Sequence, residues 1–199
     1  MMTFGDYSHH WSYYLAVEEQ LRDTSKYVEF SLENSETYSI EFARILLSAA
    51  SEADVLLKQL CCLLDESAKA DSINKYRSVI INLKPDLINE SAYARQYNIE
   101  LKPWEKLSTL NQIPTWWTAN NKVKHHRHTH FKDANLRNAM HAVGALHILV
   151  VYYYKVYFEK EMGSDITFGA VTNALQPKSI LYSLNENYYS RTRITHSAL

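Results

Sequence analysis

The sequence predicts an all-α fold, an up-and-down bundle of about five helices, and three observations carry that expectation. Only four Gly and four Pro occur in 199 residues, too few for the many tight turns of a sandwich or barrel. Apolar residues recur at i, i+3, i+4 and i+7 through two long segments, the pattern of helices with one buried stripe. The connections between periodic segments are short, which favours antiparallel neighbours. A chain of this length can bury one sizeable core, placed here at residues 1–163, with a polar, weakly periodic extension at 164–199.

The first helix is expected over residues 8–31, where Trp11, Tyr14, Leu15, Leu21 and Val28 keep helical spacing and Glu18 and Arg22 interrupt the face. Asn34, Ser35, Glu36 and Thr37 supply turn and cap chemistry. The second helix, 39–66, has the strongest stripe in the chain: Phe42, Ile45, Leu46, Ala49, Ala53, Leu56, Leu57, Leu60 and Leu64. A third helical region, 72–97, is interrupted near Pro85, whose ring removes an amide donor and crowds the preceding turn. Residues 98–113 form a connector, partly helical around 104–110. Pro114 suits the first turn of a short fourth helix ending near His128. Asp133 can cap a long fifth helix with Leu136, Met140, Val143, Leu146, Val150, Tyr153 and Tyr157 on its core side, and Gly163 can stop it. The extension beyond Gly163 reads equally as a short helix, a hairpin or an arm on a neighbouring subunit.

Composition is that of an ordinary globular domain, 46% hydrophobic and 22% charged, which excludes a disordered or fibrous chain. The longest apolar run, 142–154, contains His147 and is too short to span a bilayer, and no basic-apolar-small leader opens the chain. A cytoplasmic location and no membrane partner are therefore expected. Cys61 and Cys62 are adjacent in an apolar helix and are read as reduced core thiols. Four-cysteine zinc patterns are absent.

The net charge of −1 hides an asymmetry: residues 1–100 carry 9 Lys and Arg against 16 Asp and Glu, and residues 101–199 carry 12 against 6. Two halves of one fold that attract each other account for it, as does a polyanion-facing surface in the second half.

One segment stands apart, residues 114–131. Within it, Asn120-Asn121-Lys122-Val123-Lys124-His125-His126-Arg127-His128-Thr129-His130 packs two asparagines, two lysines, one arginine and four histidines into eleven residues. As a helix it places Trp116, Ala119, Val123 and His126 on one face, to pack on the bundle, and Asn121, Lys124, His125 and His128 on another, to look outward. A tryptophan-rich approach, this motif, and a long helix opened by Phe131 and Ala134 together resemble the HEPN superfamily of all-α domains, over roughly residues 8–162. The resemblance implies a homodimer in which two such motifs meet, metal-independent endoribonuclease activity, and roles in toxin–antitoxin or phage-defence systems, with an antitoxin-like protein as a further partner. Matched residue by residue, His125 or His126 takes the place of the family histidine and Asn121 that of its polar residue. The family arginine falls at position 120, which here is Asn120, and asparagine offers phosphate no cationic fork.

The chemistry that such residues serve is RNA cleavage by its own 2′-hydroxyl. A histidine removes that proton or protonates the leaving 5′-oxygen, and cations stabilise charge on the non-bridging oxygens. His125 is cast as the acid or base, and Asn121 orients the imidazole or the phosphate, with Asn120 at the arginine position. Lys122, Lys124, Arg127 and His126 are the candidate phosphate ligands. The expected partner is RNA or a nucleotide, and no cofactor is called for. A catalytically inactive dimeric interaction module of the same fold is the alternative.

A third reading is a histidine-rich metal site, since His126/His130 and His125/His128 have ligand spacing; the absence of a carboxylate in the stretch and its three cations oppose it. His126 on the packing face reads first as a core histidine, and His128 and His130 as solvated loop residues. His141 and His147 read as interior or interfacial groups, and Tyr152-Tyr153-Tyr154 with Tyr157 as aromatic core and rim rather than a base-stacking platform. Lys155 and Lys160 read as solvated helix positions. No phosphate-binding glycine loop, G-x-S-x-G elbow or H-E-x-x-H helix is present.

Overall fold

The computed structural model describes residues 9–188. It is predominantly helical, as the sequence predicts, with seven α-helices and one two-stranded hairpin among the described residues. The first helix, α1, spans His9–Thr24 and is shorter than expected. Thr24 turns its hydroxyl onto the Leu21 carbonyl at 2.6 Å, and reversed turns through Tyr27 follow. Position 8, the expected start, lies outside the described residues.

The second helix, α2 (Ile40–Leu64), matches its stripe: Phe42, Ile45, Leu46, Ala49, Ala53, Leu56, Leu57 and Leu60 are buried, and Leu64, at the helix end, is half-buried. Its cap is Ser39, whose hydroxyl accepts from the Phe42 amide at 3.0 Å, rather than the 34–37 cluster. That cluster serves another helix. The carbonyls of Thr37 and Ser35 accept from the Leu136 and Arg137 amides, which have no acceptor inside their own helix.

The third region departs from expectation. The helix α3 (Ile73–Leu83) ends before Pro85, and a single turn, α4 (Asp86–Asn89), follows. Then β1 (Ala92–Ala94) and β2 (Ile99–Leu101) pair antiparallel, with Ala92 opposite Leu101. Asn98, at φ 53°, makes the reversal. β1 lies close to the last long helix because position 144 there is glycine: a Cβ on Gly144 would stand 3.2 Å from that of Ala92.

The helix carrying the polar motif is α5 (Thr115–His130), and the long core helix is α6 (Leu136–Met162). Asn135, not Asp133, caps α6, its side chain accepting from the Asn138 amide at 3.0 Å. Gly163 stops it in the left-handed conformation at φ 64°, as expected. α6 packs along α2, and α1 lies against both. Although α6 is long and apolar enough to cross a bilayer, 89% of its apolar window is buried inside the bundle, as in a core helix.

Residues 164–188, left open by the sequence, fold back onto this body. A short α7 (Phe168–Ala174) is followed by chain that bridges Ser183 to Tyr93. Two buried carboxylates hold it. Glu18, which the sequence pattern treats as a break in the α1 face, is 1% exposed and accepts from the backbone amides of Ile180, Leu181 and Tyr182 and from the hydroxyls of Tyr14 and Ser179. Glu90 accepts from Tyr152 at 3.0 Å and Tyr188 at 2.8 Å. Each bond offsets the cost of burying a charge without a cation. The remaining residues, 189–199, lie outside the described residues.

Other side-chain expectations divide. Tyr152 and Tyr154 are buried and Tyr153 half-buried, so the tyrosine run is core and rim. His147 is buried and His141 half-buried. Cys61 is buried, which pushes its thiol up to about 12, but Cys62 faces solvent because one residue turns a helix by about 100°. Lys155 is not solvated. Its ammonium is buried over Phe168, held by Glu159, by Asp165 at 3.0 Å and by the Ile166 carbonyl at 2.6 Å, and it thereby closes the turn after α6.

Candidate nucleic-acid interface on helix α5

Tryptophans fix the start of α5. Trp116 donates its indole N–H to the Pro103 carbonyl at 3.0 Å, and Trp104 donates to the Ala145 carbonyl at 3.1 Å. Their rings meet edge to face at 5.1 Å, with Trp117 against Trp116 at 5.4 Å. Both indoles are therefore buried with their polar atoms satisfied. Ala119 and Val123 continue the buried face, as the spacing predicts.

His126 does not continue it. The backbone there leaves helical geometry, with φ −138° and ψ 42°, and His126 is exposed. The expected packing position is thus corrected. After Val123 no apolar side chain anchors the helix until Phe131, so the extrapolated phase is broken at a kink. The Thr129 hydroxyl caps the break by donating to the His126 carbonyl at 3.0 Å. Residues 127–130 then form the final turn, where Arg127 puts positive charge at a helix C-terminus, the end that favours it.

The outward face opens into a groove of about 820 Å³ between α5 and the start of α2. Lys124, His125, Arg127 and His128 form its polar side, and Ile40, Ala43, Leu47, Val123 and Phe131 its apolar floor. All four polar residues are exposed, and none makes a hydrogen bond or ion pair among the described residues. No carboxylate lines this groove.

The other candidates are placed differently. Asn120 is half-buried, and its amide donates to the Asn121 side-chain carbonyl at 3.4 Å; Asn121 makes no bond to His125. Lys122 lies 3.7 Å from Asp133, which also stands 3.4 Å from His130. Asp133 therefore pairs with Lys122 and leaves Lys124 and Arg127 without a carboxylate partner. His126 contacts its neighbours only through rings, 6.4 Å from those of His125 and His128, and does not line the groove. Among the described residues no group of three or more His, Cys, Asp or Glu is arranged to hold a metal.

Sequence reasoning missed the groove floor. Ile40 and Leu47 lie off the core stripe of α2, and Ile40 is 71% exposed. Surplus apolar residues beside a complete stripe are the signal that points to a second contact surface. No protein-family model, curated protein or solved structure matches this chain.

Proposed function

We propose that the groove between α2 and α5 binds single-stranded RNA, with phosphates along Lys124 and Arg127 and bases against the apolar floor, in a HEPN-like domain acting as a homodimer. The observation that supports this reading is the groove's charge: two cations and two histidines with no carboxylate among them, on a protein whose net charge is −1. Unpaired Lys and Arg displace the counterions condensed on nucleic-acid phosphates, and that release drives non-specific nucleic-acid binding. Ile40 and Phe131 offer bases apolar contact without sequence preference.

A second reading adds cleavage, favoured by His125 standing in the same groove with both ring nitrogens unengaged. Its imidazole can accept the 2′-hydroxyl proton while Lys124 and Arg127 stabilise the phosphorane charge. The proton donated to the leaving 5′-oxygen then comes from His128 or from the second copy's His125.

Amide NMR of the labelled protein titrated with a short oligouridine tests the binding site. Shifts confined to residues 40–47 and 123–131 are expected; shifts elsewhere, or none, would refute the groove. Cleavage that survives EDTA and disappears in His125→Ala supports the second reading. Intact RNA with salt-sensitive binding assigns a non-catalytic interaction module.

A further inference from the structure

A second site lies away from the basic groove. A cavity of about 460 Å³, within the usual range for small-molecule sites, opens between residues 99–105, which include β2, on one side and the first turns of α6 on the other. Leu32, Ile99, Leu101, Leu136 and Met140 give it an apolar interior. A smaller cavity of about 110 Å³ adjoins it, and both are walled by the same four side chains: Lys102, Glu105, Arg137 and His141.

The polar groups around the larger cavity are committed to different degrees. Arg137 is ion-paired to Glu36 and hydrogen-bonded to the Ser35 hydroxyl at 3.3 Å. Glu100 accepts from Ser91 at 2.7 Å and Tyr93 at 3.2 Å. The ring of His141 must donate through Nδ1 to the Arg137 carbonyl, at 2.9 Å, because a carbonyl can only accept. That fixes the tautomer and leaves Nε2 as a bare acceptor; burial favours the same neutral form by holding the pKa of His141 down. Lys102 and Glu105 make no hydrogen bond or ion pair through their side chains among the described residues. What remains open is one donor, Lys102, and two acceptors, Glu105 and His141 Nε2, with formal charges that cancel.

We propose that this cavity binds a compact apolar molecule with a neutral carboxamide or lactam head, its N–H donating to His141 Nε2 or Glu105 and its carbonyl accepting from Lys102. A carboxylate head meets Glu105 and an acceptor nitrogen, two unfavourable contacts, and an ammonium head meets Lys102, one. A primary carboxamide, with two N–H donors and one carbonyl, meets all three groups, and a lactam meets Lys102 and one of the two acceptors. The site shares no lining residue with the α5 groove, so it stands or falls independently of RNA binding.

Three probes with the same ring test it: benzamide, benzoate and benzylamine, each titrated into the full-length protein and followed by amide NMR. Benzamide is expected to bind in the millimolar range and to shift residues 99–105 and 136–141, with benzoate and benzylamine at least about five-fold weaker, the scale of one hydrogen bond. His141→Leu and, separately, the exposed change Lys102→Ala should each weaken benzamide about five-fold with melting temperature as the control for folding. If His141→Leu fails to fold, Lys102→Ala and Glu105→Ala carry the test. No benzamide binding, tighter benzoate or benzylamine, or unchanged affinity in the folded variants would overturn the proposal.

Discussion

Replacing His147 by leucine should stabilise the protein, and the gain should grow as the solution is acidified. His147 sits in the middle of α6, 2% exposed, with both ring nitrogens buried and without a hydrogen-bond partner. It is packed among the rings of Tyr14 at 5.2 Å, Tyr182 at 6.2 Å and Trp11 at 6.4 Å. Burial pushes its pKa down from 6.5 to about 4, with Glu18 pulling weakly the other way. Because the folded pKa is depressed, the unfolded chain takes up a proton between pH 6.5 and 4 that the folded chain refuses. Stability from this group is therefore complete above pH 6.5 and falls as pH drops. At 1.36 kcal/mol per pKa unit the loss reaches about 3 kcal/mol by pH 4 and about 2 kcal/mol between pH 7 and 5. Leucine removes that loss and also the unsatisfied nitrogens, which cost about 1–3 kcal/mol at any pH. Urea unfolding of wild type and His147→Leu at pH 7 and pH 5 measures both quantities. The variant should be the more stable by about 1 kcal/mol or more at pH 7, with the difference widening by about 2 kcal/mol at pH 5. A variant less stable at pH 7, or a difference that does not change with pH, would refute the reasoning.

Three further outcomes follow from the same structure. His10, clamped between Glu52 at 2.5 Å and Gln59 at 3.1 Å, has a raised pKa, chiefly from its bond to Glu52. Its contribution is thus present below pH 6.5 and lost as pH rises through the folded pKa, so the stability difference between wild type and His10→Asn should shrink on going from pH 6 to 9; a difference that grows contradicts the clamp. Glu18→Gln turns an amide N–H₂ toward backbone donors and should cost about 3 kcal/mol in urea unfolding while exposing residues 177–184 to limited proteolysis. His125→Ala and His126→Ala should both leave unfolding free energy within about 0.5 kcal/mol of wild type, since both side chains are exposed; a large loss from His126→Ala alone restores it to the packed face.

What the sequence made legible was local. The stripe of α2, the Gly163 stop and the buried Trp116–Ala119–Val123 face all follow from spacing, because a helix repeats its own geometry over short distances. Legibility ended where a residue's role was set by a distant partner. Glu18 reads as a flaw in an amphipathic face until the 179–182 backbone closes around it, 161 to 164 residues further along. Lys155 reads as a solvated position until the turn after α6 delivers Asp165 and a carbonyl. The β1–β2 hairpin was hidden for a different reason: three-residue strands carry too few alternations to outweigh the helical pattern before them. In the candidate site, the sequence located Lys124, His125 and Arg127 but not the kink at His126, because extending a helical phase ten residues assumes that no backbone leaves it. The apolar floor comes from α2, and only the packing of α2 against α5 brings Ile40 and Leu47 beside those cations.

The salt dependence of RNA binding tests the central claim most directly. Fluorescence anisotropy with a labelled oligouridine, between about 50 and about 200 mM salt, gives the slope of log affinity against log salt, about 0.7 per phosphate contacted on a single strand. Wild type should weaken steeply with salt, and Lys124→Ala/Arg127→Ala should lower the magnitude of the slope by about 1.4 while keeping the wild-type melting temperature. A salt-insensitive wild type, or a double variant with the wild-type slope, would contradict the assignment of the α5 groove as the nucleic-acid site.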